Sequence, residues 1–224
     1  MTTILTVQNI AKTYRHRDGI VNALNEISFS VNKGDFVSIT GPSGSGKTTL
    51  LLALCGLIRP TSGRIIFENQ NLENASDKVL AEFRKKHVGF VMQNFSLIPY
   101  MTAIQNVMIP LGLNGHSSDE QQKLSSSLLE LVGLENRQNH FPRELSAGQQ
   151  QRVAIARALV NKPTMIFADE PTGNLDPFLS MEILEFLQKI NKDLNITIMM
   201  VTHSPQAANY GNVRINLSEG KICS

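Results

Sequence analysis

Residues 41–49 read Gly-Pro-Ser-Gly-Ser-Gly-Lys-Thr-Thr, a combination of glycines, hydroxyls and one lysine that is typical of a loop wrapping phosphate groups. The apolar run 36–40 before it predicts a buried strand, and the apolar run 49–54 after it predicts a buried helix. Glycines allow successive backbone N–H groups to point inward around an anion. We therefore predict a nucleotide-phosphate site, rather than a glycine-rich turn before a helix, at Gly41, Pro42, Ser43, Gly44, Ser45, Gly46, Lys47, Thr48 and Thr49.

Two side chains in this loop have chemistry of their own. Lys47 adds a mobile positive charge, and the partial positive charge of a helix that begins near it adds to the attraction for an anion. The hydroxyl of Thr48 is an oxygen ligand of the kind that Mg²⁺ prefers beside nucleotide phosphates. The loop thus predicts binding of a magnesium-bound nucleotide.

Acidic and histidine side chains follow two later apolar runs, 164–168 and 196–201, which are separated by an amphipathic helical pattern. This order predicts a βαβ unit whose parallel strands end at the same sheet edge as the phosphate loop. We assign Asp169 to the metal, Glu170 to general-base activation of water, and His203 to contact with the terminal phosphate. The alternatives, an exposed turn and a surface histidine, are disfavoured because the phosphate loop is present.

A second element suited to anions lies at residues 145–152, within a segment of helical periodicity that runs from about 93 to 161. Ser146 is an N-cap candidate, and Gln149 stands at the reciprocal position of a capping box. Gly148 permits a close approach to the helix N-terminus. An ordinary, well-capped helix remains the alternative. A similar capping box, Ser117 with Glu120, predicts another helix that ends near Gly133.

Composition narrows the classes of protein further. The 224 residues carry a net charge of +2, and the densest basic cluster, 84–87, is more typical of a solvated helix face than of a nucleic-acid site. Cys55 and Cys223 lie far apart and are interpreted as reduced thiols, which favours a cytosolic protein. The sequence contains no export signal pattern and no apolar run of membrane-spanning length.

Taken in order, these motifs resemble those of an ABC transporter ATPase over nearly the whole chain: the phosphate loop, Gln93, 145–149, 165–170, 174–176 and His203. The details of 41–49, 149–159 and 168–176 are similar to the subfamily that serves lipoprotein release, macrolide export and cell division. The resemblance implies an α/β fold with a RecA-like P-loop NTPase core, a mainly parallel sheet, an N-terminal antiparallel β part and a helical insertion. It divides the single domain into a nucleotide-binding core, 1–92 with 164–224, and a helical subdomain, 93–163.

The resemblance also implies how ATP and Mg²⁺ are held. Two copies would form a head-to-tail homodimer, with Ser146, Ala147, Gly148 and Gln149 of one copy beside the terminal phosphate bound by the other. Asp176 would lie at the seam, Gln93 would contact the metal and water, and Tyr14 would stack on adenine. One departure is Ala147, which stands where the family usually has glycine and adds a methyl group beside the phosphate.

The resemblance implies that the chain hydrolyses ATP to power an integral-membrane complex. That complex would serve lipoprotein release, macrolide or peptide export, or a similar process. The alternative is an ATP-driven regulatory module that controls cell-wall hydrolysis during division. In both cases the partner is a transmembrane subunit, and the chain would be peripheral on the cytoplasmic face of the inner membrane. The apolar run 95–101 is a candidate docking surface, although a locally buried loop core explains it equally well. DNA-repair and translation ATPases are disfavoured, so no nucleic acid is expected.

Overall fold

The chain forms two β-sheets and seven α-helices within residues 2–16 and 19–223, the parts described by the computed structural model. In chain order the strands are β1 (Thr3–His16), β2 (Gly19–Asn32), β3 (Phe36–Thr40), β4 (Ser62–Phe67), β5 (Gln70–Asn71), β6 (Val88–Met92), β7 (Met165–Asp169), β8 (Thr197–Val201), β9 (Val213–Ser218) and β10 (Lys221–Cys223). The helices are α1 (Lys47–Leu54), α2 (Asp77–His87), α3 (Ala103–Leu113), α4 (Ser118–Leu131), α5 (Ala147–Leu159), α6 (Pro177–Leu194) and α7 (Pro205–Ala208).

The two sheets differ in strand direction. The first is antiparallel and has the order β2-β1-β4-β5, which confirms the predicted N-terminal antiparallel part. The second has the order β10-β9-β3-β8-β7-β6; its strands are parallel except for the pair β9 and β10. Strands β3, β7 and β8 are almost wholly apolar because helices cover parallel sheets on both faces. The predicted α/β fold is therefore confirmed.

Capping explains where the helices of the insertion begin. Ser117 accepts a hydrogen bond from the N–H of Glu120, whose carboxylate accepts in turn from Ser117, so the predicted capping box at the start of α4 is confirmed. Thr102 and Gln105 make a further capping box at the start of α3. Helices α3, α4 and α5 pack around one apolar cluster, which is built mainly from Leu, Val, Ile and Ala side chains. The proposed division of the chain at residues 93 and 163 stays a prediction.

The helical segment begins later than its sequence periodicity predicted. Residues 93–102 form a loop, in which Phe95 and Ser96 both have positive φ, and α3 starts only at Ala103. The fully buried Asn106 holds this loop: its amide donates to the carbonyls of Ile98, Met101 and Thr102 and accepts from the N–H of Ile98. Among the apolar side chains of the loop, Leu97 packs against the cluster of the three helices.

Several elements were not predicted, among them α2, β5, β6, β9, β10 and α7. Strand β6 is the edge of the second sheet and ends at Met92, directly before Gln93. Helix α2 has an N-cap at Ser76 and ends in the basic cluster 84–87. Both cysteines are free thiols, as expected, and burial raises the pKa of Cys55 to about 12. Across the described ranges, no helix is long and apolar enough to span a bilayer.

Candidate nucleotide site

The phosphate loop connects the end of β3 to the start of α1, as its sequence predicted. Gly41 has φ +145° and Gly46 has φ +98°, both in the region that favours glycine. A Cβ at Gly41 would collide with the carbonyl oxygen of Leu217, and one at Gly46 with the carbonyl oxygen of Ala23. The path of this loop therefore excludes any larger residue at these two positions.

Lys47 is buried in the loop with only 8% of its surface exposed. Its Nζ donates hydrogen bonds to the carbonyl oxygens of Gly41, at 2.9 Å, and Pro42, at 2.8 Å. The hydroxyl of Ser45 is also buried and has no hydrogen-bond partner among the described residues. A buried ammonium group beside an unpaired hydroxyl is a polar surface that suits an anion. The residues present thus fit the predicted phosphate group.

Asp169, the last residue of β7, faces the phosphate loop. The hydroxyl of Thr48 donates to Asp169 Oδ1 over 3.2 Å, which joins the two predicted metal ligands. Burial raises the pKa of Asp169 above its ordinary value of 3.8; the charge of Glu170 adds to this, while the Thr48 hydrogen bond and the charge of Lys47 oppose it. A carboxylate and a hydroxyl in contact are suitable oxygen ligands for Mg²⁺ when nucleotide phosphates complete its coordination.

Glu170 follows in an unusual backbone conformation, with φ +48°. Its N–H donates to the carbonyl of Val201 in β8, at 3.0 Å. Its Oε1 lies 2.8 Å from His203 Nδ1, and its Oε2 accepts from the backbone N–H of His203 at 3.3 Å. The Glu170 side chain is 15% exposed and that of His203 is 68% exposed. The imidazole therefore reaches outward from a largely shielded carboxylate.

These groups share one cavity of 530 Å³. Its lining brings together the predicted residues of the phosphate loop, the acidic strand end, His203 and Gln93, which lies at the end of β6. The predicted convergence is present: Ser43, Gly44, Ser45, Gly46, Lys47, Thr48, Thr49, Gln93, Asp169, Glu170 and His203 all line the cavity. Gly41 and Pro42 contribute through their carbonyl groups, which hold Lys47.

Other predicted residues do not line this cavity within the single chain. Tyr14 is half-buried and pairs across the sheet with Val21, which does line it, and Lys12 Nζ lies 5.1 Å from the centre of the Tyr14 ring. Asp176 is the N-cap of α6 and accepts hydrogen bonds from the N–H groups of Phe178 and Leu179.

Ser146, Ala147, Gly148 and Gln149 also lie outside the cavity, at the N-terminus of α5. The predicted capping box is confirmed, because Ser146 Oγ accepts from the N–H of Gln149 and Gln149 Oε1 accepts from the N–H of Ser146. Gly148 is buried against Leu179, the third residue of α6. The N-termini of α5 and α6 are therefore neighbours, and neither lines the cavity around the chain's own phosphate loop.

Five cavity residues were missed by the sequence analysis: Val21, Asn22 and Ala23 of β2, Val201 at the end of β8, and Glu219 between β9 and β10. They reach the site through strand pairing over long sequence separations, and the backbone carbonyl of Ala23 contacts Gly46 regardless of side-chain type. No local motif indicates such a contact. Only the register of the sheets places these residues.

The chain is similar to known proteins over almost all of its length. A family model described as ABC transporter matches residues 24–173. The lipoprotein-releasing system ATP-binding protein LolD of Legionella pneumophila (strain Lens) is 41% identical over 219 residues, which are 98% of this chain and 96% of the relative. The macrolide export ATP-binding/permease protein MacB of Syntrophobacter fumaroxidans (strain DSM 10017 / MPOB) is 44% identical over 221 residues, 98% of this chain but 31% of the relative.

A solved structure has the same fold. The dimeric post-hydrolysis state of the ATP-binding cassette MJ0796, bound to ADP and Pi, superimposes with a TM-score of 0.91. It is 39% identical in sequence, and the match covers 99% of this chain and 97% of that one.

Gly46→Ala is expected to weaken binding of a magnesium nucleotide about 5- to 30-fold, because the alanine loop relaxes from the positive φ and binding must restore it at a cost of about 1–2 kcal/mol, where each 1.4 kcal/mol is tenfold in affinity. The clash with the Ala23 carbonyl adds to that loss. Isothermal calorimetry measures the affinity. Gly115→Ala is the control, since Gly115 has φ +79° in open space far from the site along the chain. Equal affinities for the two variants would contradict the steric account of the loop.

Asp169→Asn is expected to raise the thermal unfolding temperature of the nucleotide-free chain at neutral pH. The pKa of Asp169 is higher in the folded chain than in the unfolded chain, so the buried charge destabilises the fold once pH rises through the folded-state pKa. The increase in unfolding temperature caused by Asp169→Asn should therefore shrink toward pH 4. The asparagine oxygen can still accept from Thr48. Thermal denaturation followed by circular dichroism at several pH values measures the effect. A lower unfolding temperature for Asp169→Asn than for the wild type at neutral pH would show that burial is not the dominant influence on the pKa of Asp169.

Proposed function

The chain belongs to the ABC transporter family of ATP-binding proteins. We propose that the residues around its nucleotide cavity bind and hydrolyse ATP, and that this reaction powers a membrane complex. The observation that carries the proposal is the shared cavity, in which the phosphate loop, Asp169, Glu170 and His203 meet. The loop supplies inward N–H groups and Lys47 for the phosphates. The acidic strand end lies where the terminal phosphate would be attacked.

Thr48, Asp169 and Gln93 would hold Mg²⁺: Gln93 lines the same cavity and directly follows Met92, the β6 residue that pairs with Asp169. The bound metal would supply charge neutralisation at the outer phosphates. Glu170 then orients the attacking water and accepts its proton, a task that its shielded carboxylate suits. His203 holds that carboxylate through Nδ1, so its remaining ring nitrogen is available to the terminal phosphate. Lys47 leaves one or both loop carbonyls to bind the phosphates.

A second copy of the chain would complete the site. The N-terminus of α5, residues 146–149, lies away from the chain's own cavity, yet its free N–H groups suit an anion. We propose that it faces the terminal phosphate of the partner copy, with Asp176 at the seam and Tyr14 against the adenine. The dimeric MJ0796 cassette supports the formation of a homodimer. The methyl group of Ala147 would narrow the approach, so the closed dimer is expected to be less tight than one with glycine.

The membrane partner would dock on the helical subdomain, which we place at residues 93–163. Tyr100 is 76% exposed and Pro99 is exposed, whereas Leu97 packs against the apolar cluster of the three helices. One part of the loop after Gln93 thus packs against the helices, and another part exposes apolar side chains to a partner. A partner bound to the exposed part would act on the cavity through Gln93, which lines it. Peripheral attachment at the cytoplasmic face of the inner membrane follows from such a partner.

Transport of lipoproteins, macrolides or peptides is the favoured work of the complex, because the two relatives described above are named for lipoprotein release and macrolide export. MacB joins an ATP-binding part and a permease in one chain, and the matched region covers only 31% of it. We propose that this chain works with a transmembrane partner that supplies the permease function. The regulatory role in cell-wall hydrolysis shares the same chemistry, but neither of these names supports it.

Glu170→Gln is expected to lower the rate of ATP hydrolysis by about 10²–10⁴-fold, the usual contribution of a general base, while ATP still binds. The variant should therefore accumulate as an ATP-bound dimer. Steady-state hydrolysis assays and size-exclusion chromatography with ATP measure the two effects. Lys47→Ala should instead weaken ATP binding itself.

Glu185→Gln provides the matched control, because Glu185 is an exposed residue of α6 outside the cavity. Hydrolysis by that variant should match the wild-type rate. Wild-type turnover in Glu170→Gln would contradict the assignment of Glu170 as the base.

A further inference from the structure

Gln151 in α5 is fully buried, although it does not line the nucleotide cavity. Its Nε2 donates a hydrogen bond of 2.6 Å to the carbonyl oxygen of Pro171. Its Oε1 is buried too and has no hydrogen-bond partner in the described parts of the chain. A buried amide with one satisfied end costs folding free energy that an apolar side chain of similar size would avoid at that oxygen. The hydrogen bond donated to the Pro171 carbonyl is therefore what Gln151 offers over an apolar residue of similar size.

Pro171 directly follows Glu170, whose φ of +48° is sparsely populated for any residue except glycine. Such a conformation persists only when its surroundings fix it. Two backbone hydrogen bonds contribute: Glu170 donates to Val201 at 3.0 Å, and Gly173 donates to the carbonyl of Glu170 at 3.0 Å. Gln151 adds a third restraint, on the carbonyl of the next residue, Pro171, and it is the restraint that comes from α5.

We propose that Gln151 is a positioning residue for hydrolysis, which ties the Glu170 turn to α5 and keeps the Glu170 carboxylate directed into the cavity. This inference rests on the proposed ATPase function and deepens it. Helix α5 also carries the N-terminus, Ser146 to Gln149, that is proposed to face the phosphate in the partner copy. Gln151 lies about one turn further along the same helix. When α5 of one copy contacts the nucleotide held by the partner copy, Gln151 would transmit that contact to Glu170 of its own copy.

The test compares three variants of the full chain, with hydrolysis rates measured over a range of ATP concentrations. Gln151→Met keeps the side-chain volume and removes the donor. Gln121→Met removes a similar donor, because Gln121 Nε2 makes a 2.7 Å hydrogen bond to the carbonyl of His116 in a distant part of the helical insertion. The third variant combines Gln151→Met with Glu170→Gln, and its rate is compared with that of Glu170→Gln alone. Circular dichroism confirms that each variant is folded at the assay temperature.

Gln151→Met should lower kcat about 10- to 100-fold, as expected for a misplaced catalytic group, and should leave KM within about twofold because the residue is outside the cavity. Gln121→Met should stay within about twofold of wild type in both constants. In the Glu170→Gln background, Gln151→Met should lower the residual rate less than about twofold, since both changes act through the same carboxylate.

A wild-type kcat in Gln151→Met would overturn the proposal. So would a loss that appears in KM alone, or a full additional loss in the double variant, because either result means that Gln151 acts on something other than Glu170. Absence of hydrolysis by the wild-type chain would instead contradict the proposed function, so the two failures are distinguishable.

Discussion

Parallel pairing of β3, β8 and β7 is the constraint on which the site depends. Ile39 of β3 and Asp169 of β7 both pair with Val201 of β8, so the three strands end level with one another. Thr202, just beyond β8, donates to the carbonyl of Ile39 at 3.0 Å and extends this alignment into the loops. Because the chain leaves each strand at the same edge, the phosphate loop, the acidic pair and the histidine meet without any further device. A slip of the register would separate Lys47 from Asp169.

The groups that meet there are held in states that disfavour folding. Lys47 is buried, burial raises the pKa of Asp169, and Glu170 has a left-handed backbone conformation. The first two features make sense when a charged ligand and its metal enter the cavity, because opposite charge compensates for the burial of Lys47 and Asp169. The rigid apolar strands and helices around the site supply the stability that such a site lacks. The features that suit this sheet edge to ligand binding therefore lower the stability of the fold.

The sequence indicated those parts of the site that local chemistry determines. The loop 41–49, the strand ends before Asp169 and His203, and the capping boxes at Ser117 and Ser146 were all predicted, because each depends on residues a few positions apart. The start of α3, the elements α2 and β6, and the contribution of β2 to the cavity were not. The start of α3, β6 and the contribution of β2 depend on Asn106 holding a loop, on edge-strand pairing and on sheet register, all of which join residues that are distant in sequence or lack a distinctive pattern. Gln151 belongs to the same class, since its partner lies 20 residues away. Helix α2, by contrast, has local signals, an N-cap at Ser76 and a basic last turn.

The most direct measurement is a crystal structure of the Glu170→Gln variant grown with Mg²⁺ and ATP. The account predicts a nucleotide whose phosphates lie in the loop 41–49 against Lys47, with the metal on Thr48 and the terminal phosphate beside residue 170. It also predicts that the α5 N-terminus of a second copy closes over that phosphate. A nucleotide bound elsewhere, or phosphates in the loop with residue 170 turned away from them, would contradict it.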